Sequence, residues 1–156
     1  MEETAARIVP NILSLAGVDP SGGAGLLADI KTISALGGYA CGAVTALTVQ
    51  NTRGVSGVRI MSGDFVSAQM ESVLSDIRID AVKIGMLGNC EVIEAAAGIL
   101  RDHPVKHVVL DTILASTSGT PLLEPEAVGV LIRKLLPLCT VFTPNRSEEH
   151  TSELQS

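Results

Sequence analysis

Residues 81–111 read AVKIGMLGNCEVIEAAAGILRDHPVKHVVLD, and this stretch decides the fold. Residues 81–86 form a strand-length stretch that is apolar apart from Lys83 and Gly85, residues 91–100 carry a helical period, and residues 107–111 read as a second strand around Val108-Val109-Leu110. A strand, a helix and a second strand at this spacing call for a crossover connection and a parallel strand pair. The same alternation extends outward in both directions. Upstream, residues 12–16 (ILSLA) read as a strand buried on both faces. Residues 24–36 place Leu26, Leu27, Ile30, Ile33 and Leu36 at threes and fours before Gly37-Gly38, which is a helix with a glycine stop. Strand-like segments follow at 43–49 and 55–61, then a helix over 65–74. Downstream, a helix is expected over 126–136 and a last strand over 139–142. The class is α/β with a mostly parallel sheet, and sites in such sheets form at the carboxyl ends of strands. The loops after Ala16, Val49, Ile84, Leu110 and Phe142 are therefore the places to look.

Composition narrows the functions. Hydrophobic residue types make up 46% of the 156 residues and charged ones 18%, with a formal charge of −6. That is enough apolar surface for a core and too little charge for long disorder. An acidic chain with no Lys/Arg cluster and only Tyr39, Phe65 and Phe142 as aromatics offers neither a footprint for a phosphate backbone nor a platform for bases, so nucleic acid is not an expected partner. No apolar run reaches the roughly 18 residues of a membrane span, and residues 1–10 lack a signal-peptide pattern, so the expected location is cytoplasmic, without a membrane partner. Cys41, Cys90 and Cys139 are an odd, widely spaced set that reads as buried free thiols.

The sharpest local feature is Gly17-Val18-Asp19-Pro20-Ser21-Gly22-Gly23-Ala24-Gly25, between a buried strand and a helix. Its glycines let a ligand approach the backbone, and free N–H groups at the helix start favour polar or anionic ligand atoms. A tight strand-to-helix turn needs the same glycines, and that reading stays open. Gly17 and Gly22 have the spacing of a Walker loop, but Gly23-Ala24 stand where Lys-Ser/Thr is needed, and no Gly-x-Gly-x-x-Gly fingerprint of a dinucleotide-dependent oxidoreductase exists here. Gln50 and Asn51 place two amides at a strand end, where each offers a donor and an acceptor to a heterocycle edge or caps the strand. Gly85, Met86 and Gly88 after the next strand suit the wall of a flat-ring pocket. Asp111 ends an apolar strand, where a carboxylate needs solvent, a donor or a metal, and near phosphates it could hold Mg²⁺ directly or through water. Asn145 ends the last strand similarly. His103 and His107 are separated by Pro104, which prevents the helix that would align them on a metal.

Six segments in order, AGVDPSGGAGLLADIKTISALG, TALTVQNT, FVSAQMESVLSD, KIGMLGN, VVLDTILASTSGTPLL and FTPN, resemble the kinases that phosphorylate hydroxymethylpyrimidine and its phosphate in thiamine biosynthesis. The resemblance covers residues 11–145 and implies a ribokinase-like three-layer α/β/α sandwich, incomplete at the C-terminus. It implies ATP and Mg as cofactors, with a pyrimidine substrate beside Gly17, Ala24, Thr48, Gln50, Met86 and Ile113. Gln50 would hydrogen-bond the ring, and Met86 and Ile113 would pack on it. Asp111 and Asn145 fall on the Mg-ATP side; the metal ligands themselves stay unassigned, and a homodimer stays open. The family's catalytic Gly-Thr-Gly-Cys segment is absent from these 156 residues, so no catalytic residue is assigned and the chain by itself is expected to be inactive. Missing sheet elements would leave an exposed apolar edge and poor solubility. Residues 146–156 (RSEEHTSELQS) break the pattern and resemble a translated sequencing adapter, so they are expected to be a non-native tail that includes Glu148 and His150. A pyridoxal-type kinase of the same superfamily and a non-catalytic pyrimidine-binding fragment are the alternatives.

Overall fold

A computed structural model describes residues 9–111 and 122–143. The chain runs β1 (Asn11–Val18), α1 (Gly25–Ala35), β2 (Tyr39–Asn51), β3 (Gly54–Ile60), α2 (Gly63–Leu74), β4 (Ala81–Ile84), α3 (Cys90–Asp102), β5 (His107–Leu110), α4 (Pro125–Val130) and β6 (Val141–Phe142). One six-stranded sheet has the order β3-β2-β1-β4-β5-β6. Only β2 and β3 pair antiparallel. From β1 the chain winds outward first to β2 and then, in the other direction, to β4. Right-handed crossovers in opposite directions put their helices on opposite faces, and the strand order reverses between β1 and β4, where α/β sheets open their ligand crevice.

The core lies on the face covered by α2, α3 and α4. Leu13, Leu15, Val82, Ile84, Val108 and Leu110 from the strands meet Val66 and Met70 of α2, Val92, Ile93, Ala96, Ala97 and Leu100 of α3, and Ala127, Leu131 and Leu135 beyond. Each large side chain buried this way stabilises the fold by about 1.5–3 kcal/mol. Helix α3 shows why the sequence places it here: Asn89 accepts the Val92 N–H at 3.0 Å as N-cap, Glu91 lies in the first turn and Arg101 in the last, which suits the helix dipole at both ends. Helix α1 covers the other face, where Leu26 lies so close to Gly42 that a β-carbon there would meet its methyl group at 2.9 Å. These layers give the α/β/α sandwich.

Three expectations need correction. The segment 43–49 belongs to a strand of 13 residues, and Thr52-Arg53 joins it to β3 as a tight hairpin, so the connection after Val49 is no crossover. The Asn51 side chain accepts the Arg53 N–H at 2.9 Å and so caps that turn, the second of the two roles open to it. The helix expected over 126–136 is a six-residue α-helix that widens into a π turn at Leu131–Leu135 and tightens into a 3₁₀ turn at Leu136–Leu138. Pro137 is the cause, since it donates no N–H and its ring crowds the preceding turn. That turn also consumes Cys139 and shortens the last strand to two residues. Of the three free thiols Cys41 is buried, whereas Cys90 and Cys139 are half-buried. Burial pushes the Cys139 thiol up to about 11, so it stays protonated and donates to the Leu135 carbonyl at 3.3 Å. Nothing described bears on residues 146–156.

Candidate active site

Gly17 and Met86 sit at the carboxyl ends of β1 and β4, on either side of the crevice. The two touch: a β-carbon on Gly17 would lie 3.1 Å from Met86 Sδ, so only glycine leaves this thioether its place. Thr48 reaches the same corner from β2, where its hydroxyl donates to the Val18 carbonyl at 2.9 Å and lies 3.1 Å from Gln50 Oε1. Nε2 of Gln50 makes no hydrogen bond to a described residue. Ala24 stands across the loop at the N-cap of α1, with an extended backbone. Gly17, Ala24, Thr48, Gln50 and Met86 thus gather around one strand-end corner; Ile113 and Asn145 lie outside the described residues.

Beside this corner is a cavity of about 260 Å³, lined by Val58, Ile60, Met86, Gly88, Leu123 and Glu124 among others. That volume is just under the roughly 300 Å³ at which drug-sized sites begin, the scale of one substituted ring. Two of its lining residues are joined directly, since the Glu124 N–H donates to the Gly88 carbonyl at 3.0 Å.

The glycine loop differs from its expected chemistry. The N–H groups of Gly23 and Ala24, expected to be free for a ligand, both donate to Asp19 Oδ2, at 3.1 and 3.0 Å, while Ser21 donates to Asp19 Oδ1 through its N–H at 2.8 Å and its hydroxyl at 2.7 Å. The Asp19 carboxylate fills the place that an anion would take. Burial pushes its pKa up, and these four hydrogen bonds outweigh burial and hold it below the ordinary carboxylate value. Gly25 completes the turn at φ +57°, packed against the Gly17 carbonyl so tightly that a β-carbon would come within 2.2 Å.

On the α1 side of the sheet Lys83 links two carboxylates. Its Nζ lies 3.1 Å from Asp29 Oδ2 and 3.3 Å from Asp111 Oδ2. Asp29 also accepts from the fully buried Ser14 hydroxyl at 2.6 Å, and Asp111 Oδ1 accepts from the Thr143 hydroxyl at 3.0 Å. Asp111 is thereby held at the strand end by two donors while its side chain stays 42% exposed. Among the described residues no group of three His, Cys, Asp or Glu side chains could hold a metal. A lone exposed carboxylate does fit the way Mg²⁺ is usually kept, by one or two carboxylates with substrate phosphates and water. His103 ends α3, 2.7 Å from Glu71 of α2, and His107 starts β5, so neither faces the corner. Lys83 and Asp19 were visible in the sequence as parts of motifs, but their partners lie at separations that no periodicity reports.

The family model described as phosphomethylpyrimidine kinase matches residues 19–153. The hydroxymethylpyrimidine/phosphomethylpyrimidine kinase of Escherichia coli K12 is 53% identical over 138 residues, 88% of this chain and 52% of that protein. The chain spans about half the length of such curated relatives. Among solved structures, a phosphomethylpyrimidine kinase from Clostridium difficile 630 superposes with a TM-score of 0.84 at 42% identity, covering 91% of this chain and 62% of that one. A Staphylococcus aureus pyridoxal kinase in complex with pyridoxal superposes with a TM-score of 0.77 at 34% identity, covering 88% and 51%.

Proposed function

The chain belongs to the phosphomethylpyrimidine kinase family, and on that premise we propose that it serves the ATP-dependent phosphorylation of 4-amino-5-hydroxymethyl-2-methylpyrimidine and its monophosphate in thiamine biosynthesis. The observation that carries the reading is the corner where Gly17, Thr48, Gln50 and Met86 converge beside a ring-sized cavity. The Gln50 amide bonds the polar edge of the pyrimidine, with its free N–H group as donor. Met86 packs on the ring, Ile113 is the further residue expected to pack on it, and Gly17 and Ala24 let the ring approach the backbone. The hydroxymethyl group then points along the strand ends towards Asp111.

Asp111 and Asn145 are the residues that would hold Mg-ATP, whose metal neutralises charge on the transferred phosphoryl group. The role of Lys83 and Thr143 is to hold the Asp111 carboxylate outward at the strand end. Phosphoryl transfer depends on positioning and on stabilising charge that develops in the transition state.

Calorimetry with hydroxymethylpyrimidine and with pyridoxal separates this reading from its neighbour in the superfamily. The pyrimidine binds the chain in preference to pyridoxal, and Gln50→Ala weakens it by about tenfold, the equivalent of one net hydrogen bond. Preference for pyridoxal, or equal pyrimidine affinity in both proteins, contradicts the assignment.

A further inference from the structure

Two irregularities bracket Ala46–Val49 of β2, the stretch that carries Thr48 and leads into Gln50. Against β1 the register shifts between Ala16 and Gly17, so that Ala16 pairs with Val44 but Gly17 pairs with Ala46, and Thr45 is the extra residue. Against β3 it shifts between Val49 and Gln50, which pair with Gly57 and Val55 and leave Ser56 unmatched. Bulges of this kind turn a strand locally and re-aim its side chains. Without the first one, every residue of β2 from 46 onward would face the opposite side of the sheet, and Thr48 and Gln50 would exchange places with Leu47 and Val49.

The first bulge has dedicated support. Beyond Ile60, β3 leaves the sheet for α2, so Val44 has no strand partner on that side for its N–H and C=O. Gln69 of α2 takes the place of the missing strand: its Oε1 accepts the Val44 N–H at 2.9 Å and its Nε2 donates to the Val44 carbonyl at 3.0 Å. A primary amide carries its acceptor and its donor on separate atoms, so it can satisfy a backbone N–H and C=O side by side, as a strand would. The extra residue, Thr45, is fully buried, and its hydroxyl donates to the Met86 carbonyl at 2.5 Å. One clamp therefore ties the bulge to α2 and another ties it to the residue that touches Gly17.

We infer that Gln69 and Thr45 are positioning residues for the pyrimidine site, setting through the Val44–Thr45 bulge where Gly17, Thr48, Gln50 and Met86 stand. Neither side chain touches the ring. The inference rests on the pyrimidine reading for its functional part, and on coordinates alone for its structural part.

The test uses the 156-residue chain and three variants, Gln69→Met, Thr45→Val and Val66→Ala, the last removing side-chain volume from a fully buried position one turn before Gln69 on α2 while leaving both clamps in place. Amide hydrogen exchange and amide chemical shifts need no ligand. In Gln69→Met the Val44 N–H exchanges faster by about 100-fold, as for an amide that loses a protected bond to local opening, and the Gly17, Ala46 and Met86 signals move. In Thr45→Val the Met86 and Gly17 signals move, and in Val66→Ala none of these does. Hydroxymethylpyrimidine affinity, measured by calorimetry, falls about tenfold or more in the first two variants and stays within about twofold in Val66→Ala, although that variant loses at least as much stability. Unchanged Gly17 and Met86 signals in both bulge variants overturn the inference. So does an affinity loss that simply follows stability across all three. If the parent chain binds no pyrimidine while the amide signals respond as described, the pyrimidine reading fails and the bulge clamp stands.

Discussion

Replacing Asp19 with Asn tests whether one buried carboxylate builds the glycine loop. In the native chain Oδ2 accepts the Gly23 and Ala24 N–H groups and Oδ1 accepts the Ser21 N–H and hydroxyl. Asparagine keeps one acceptor oxygen. In its better orientation the oxygen stays with Gly23 and Ala24, the NH₂ meets the Ser21 hydroxyl, which can rotate to accept, and the Ser21 N–H is left without a partner. An orphaned donor costs about 1–3 kcal/mol, and each of the two remaining bonds weakens by about 1 kcal/mol on losing its charge. The expected loss is about 3–5 kcal/mol, which for a chain of this size lowers the melting temperature by roughly 6–20 °C. The effect depends on pH with a definite sign. Because the folded pKa of Asp19 is held below its unfolded value, its contribution is fully present above about pH 4 and disappears as pH falls through the folded pKa. Urea unfolding of both proteins from pH 7 downward therefore shows a gap that is constant to about pH 5 and narrows below pH 4. An Asp19→Asn protein as stable as its parent at pH 7, or a gap that does not narrow in acid, would refute the reasoning.

Two glycines should respond in opposite senses to alanine. Gly25→Ala forces a β-carbon to within 2.2 Å of the Gly17 carbonyl at φ +57°, so urea unfolding should show a loss of more than about 2 kcal/mol. Gly98→Ala, in α3 with nothing within 4 Å of the new carbon, should gain about 0.5–1 kcal/mol by the same assay. Leu110→Ala opens a void in a fully buried site and should cost about 2–5 kcal/mol, read from the urea midpoint at unchanged slope. Lys83→Met leaves the Asp29 and Asp111 carboxylates facing each other without their shared cation. It should destabilise the chain by about 1–3 kcal/mol at pH 7, with Lys83→Arg recovering part of the loss.

What could be read from the sequence was whatever repeats locally. The stretches at 12–16 and 81–86 are mostly apolar, Ser14, Lys83 and Gly85 apart, because parallel strands between two helical layers are covered on both faces, and the period in 91–100 survives as the buried face of α3. The hairpin at Thr52-Arg53 was less legible, because no Asn-Gly or Asp-Gly pair marks it and the residues before it had already turned polar. The helix at 126–136 hid its break, since the apolar period continues through Leu135 and Leu136 while Pro137 acts on the turn behind it. Asp19 was visible, but nothing short of coordinates shows a carboxylate occupying the loop that an anion was expected to fill. Lys83, Asp29 and Asp111 meet only because β4 and β5 are neighbours and α1 packs over that face of the sheet, and Gln69 was hidden as one polar residue on an amphipathic helix.

The central claim is that a pyrimidine seats at the carboxyl ends of β1, β2 and β4. Titration of the isotope-labelled chain with hydroxymethylpyrimidine, followed residue by residue through its backbone amide signals, tests it most directly. The account predicts saturable shifts concentrated at Gly17, Ala24, Thr48, Gln50 and Met86, with residues at the opposite, amino-terminal ends of the central strands such as Asn11, Arg78 and Asp80 unmoved. Shifts centred elsewhere, or none at saturating pyrimidine, would contradict it.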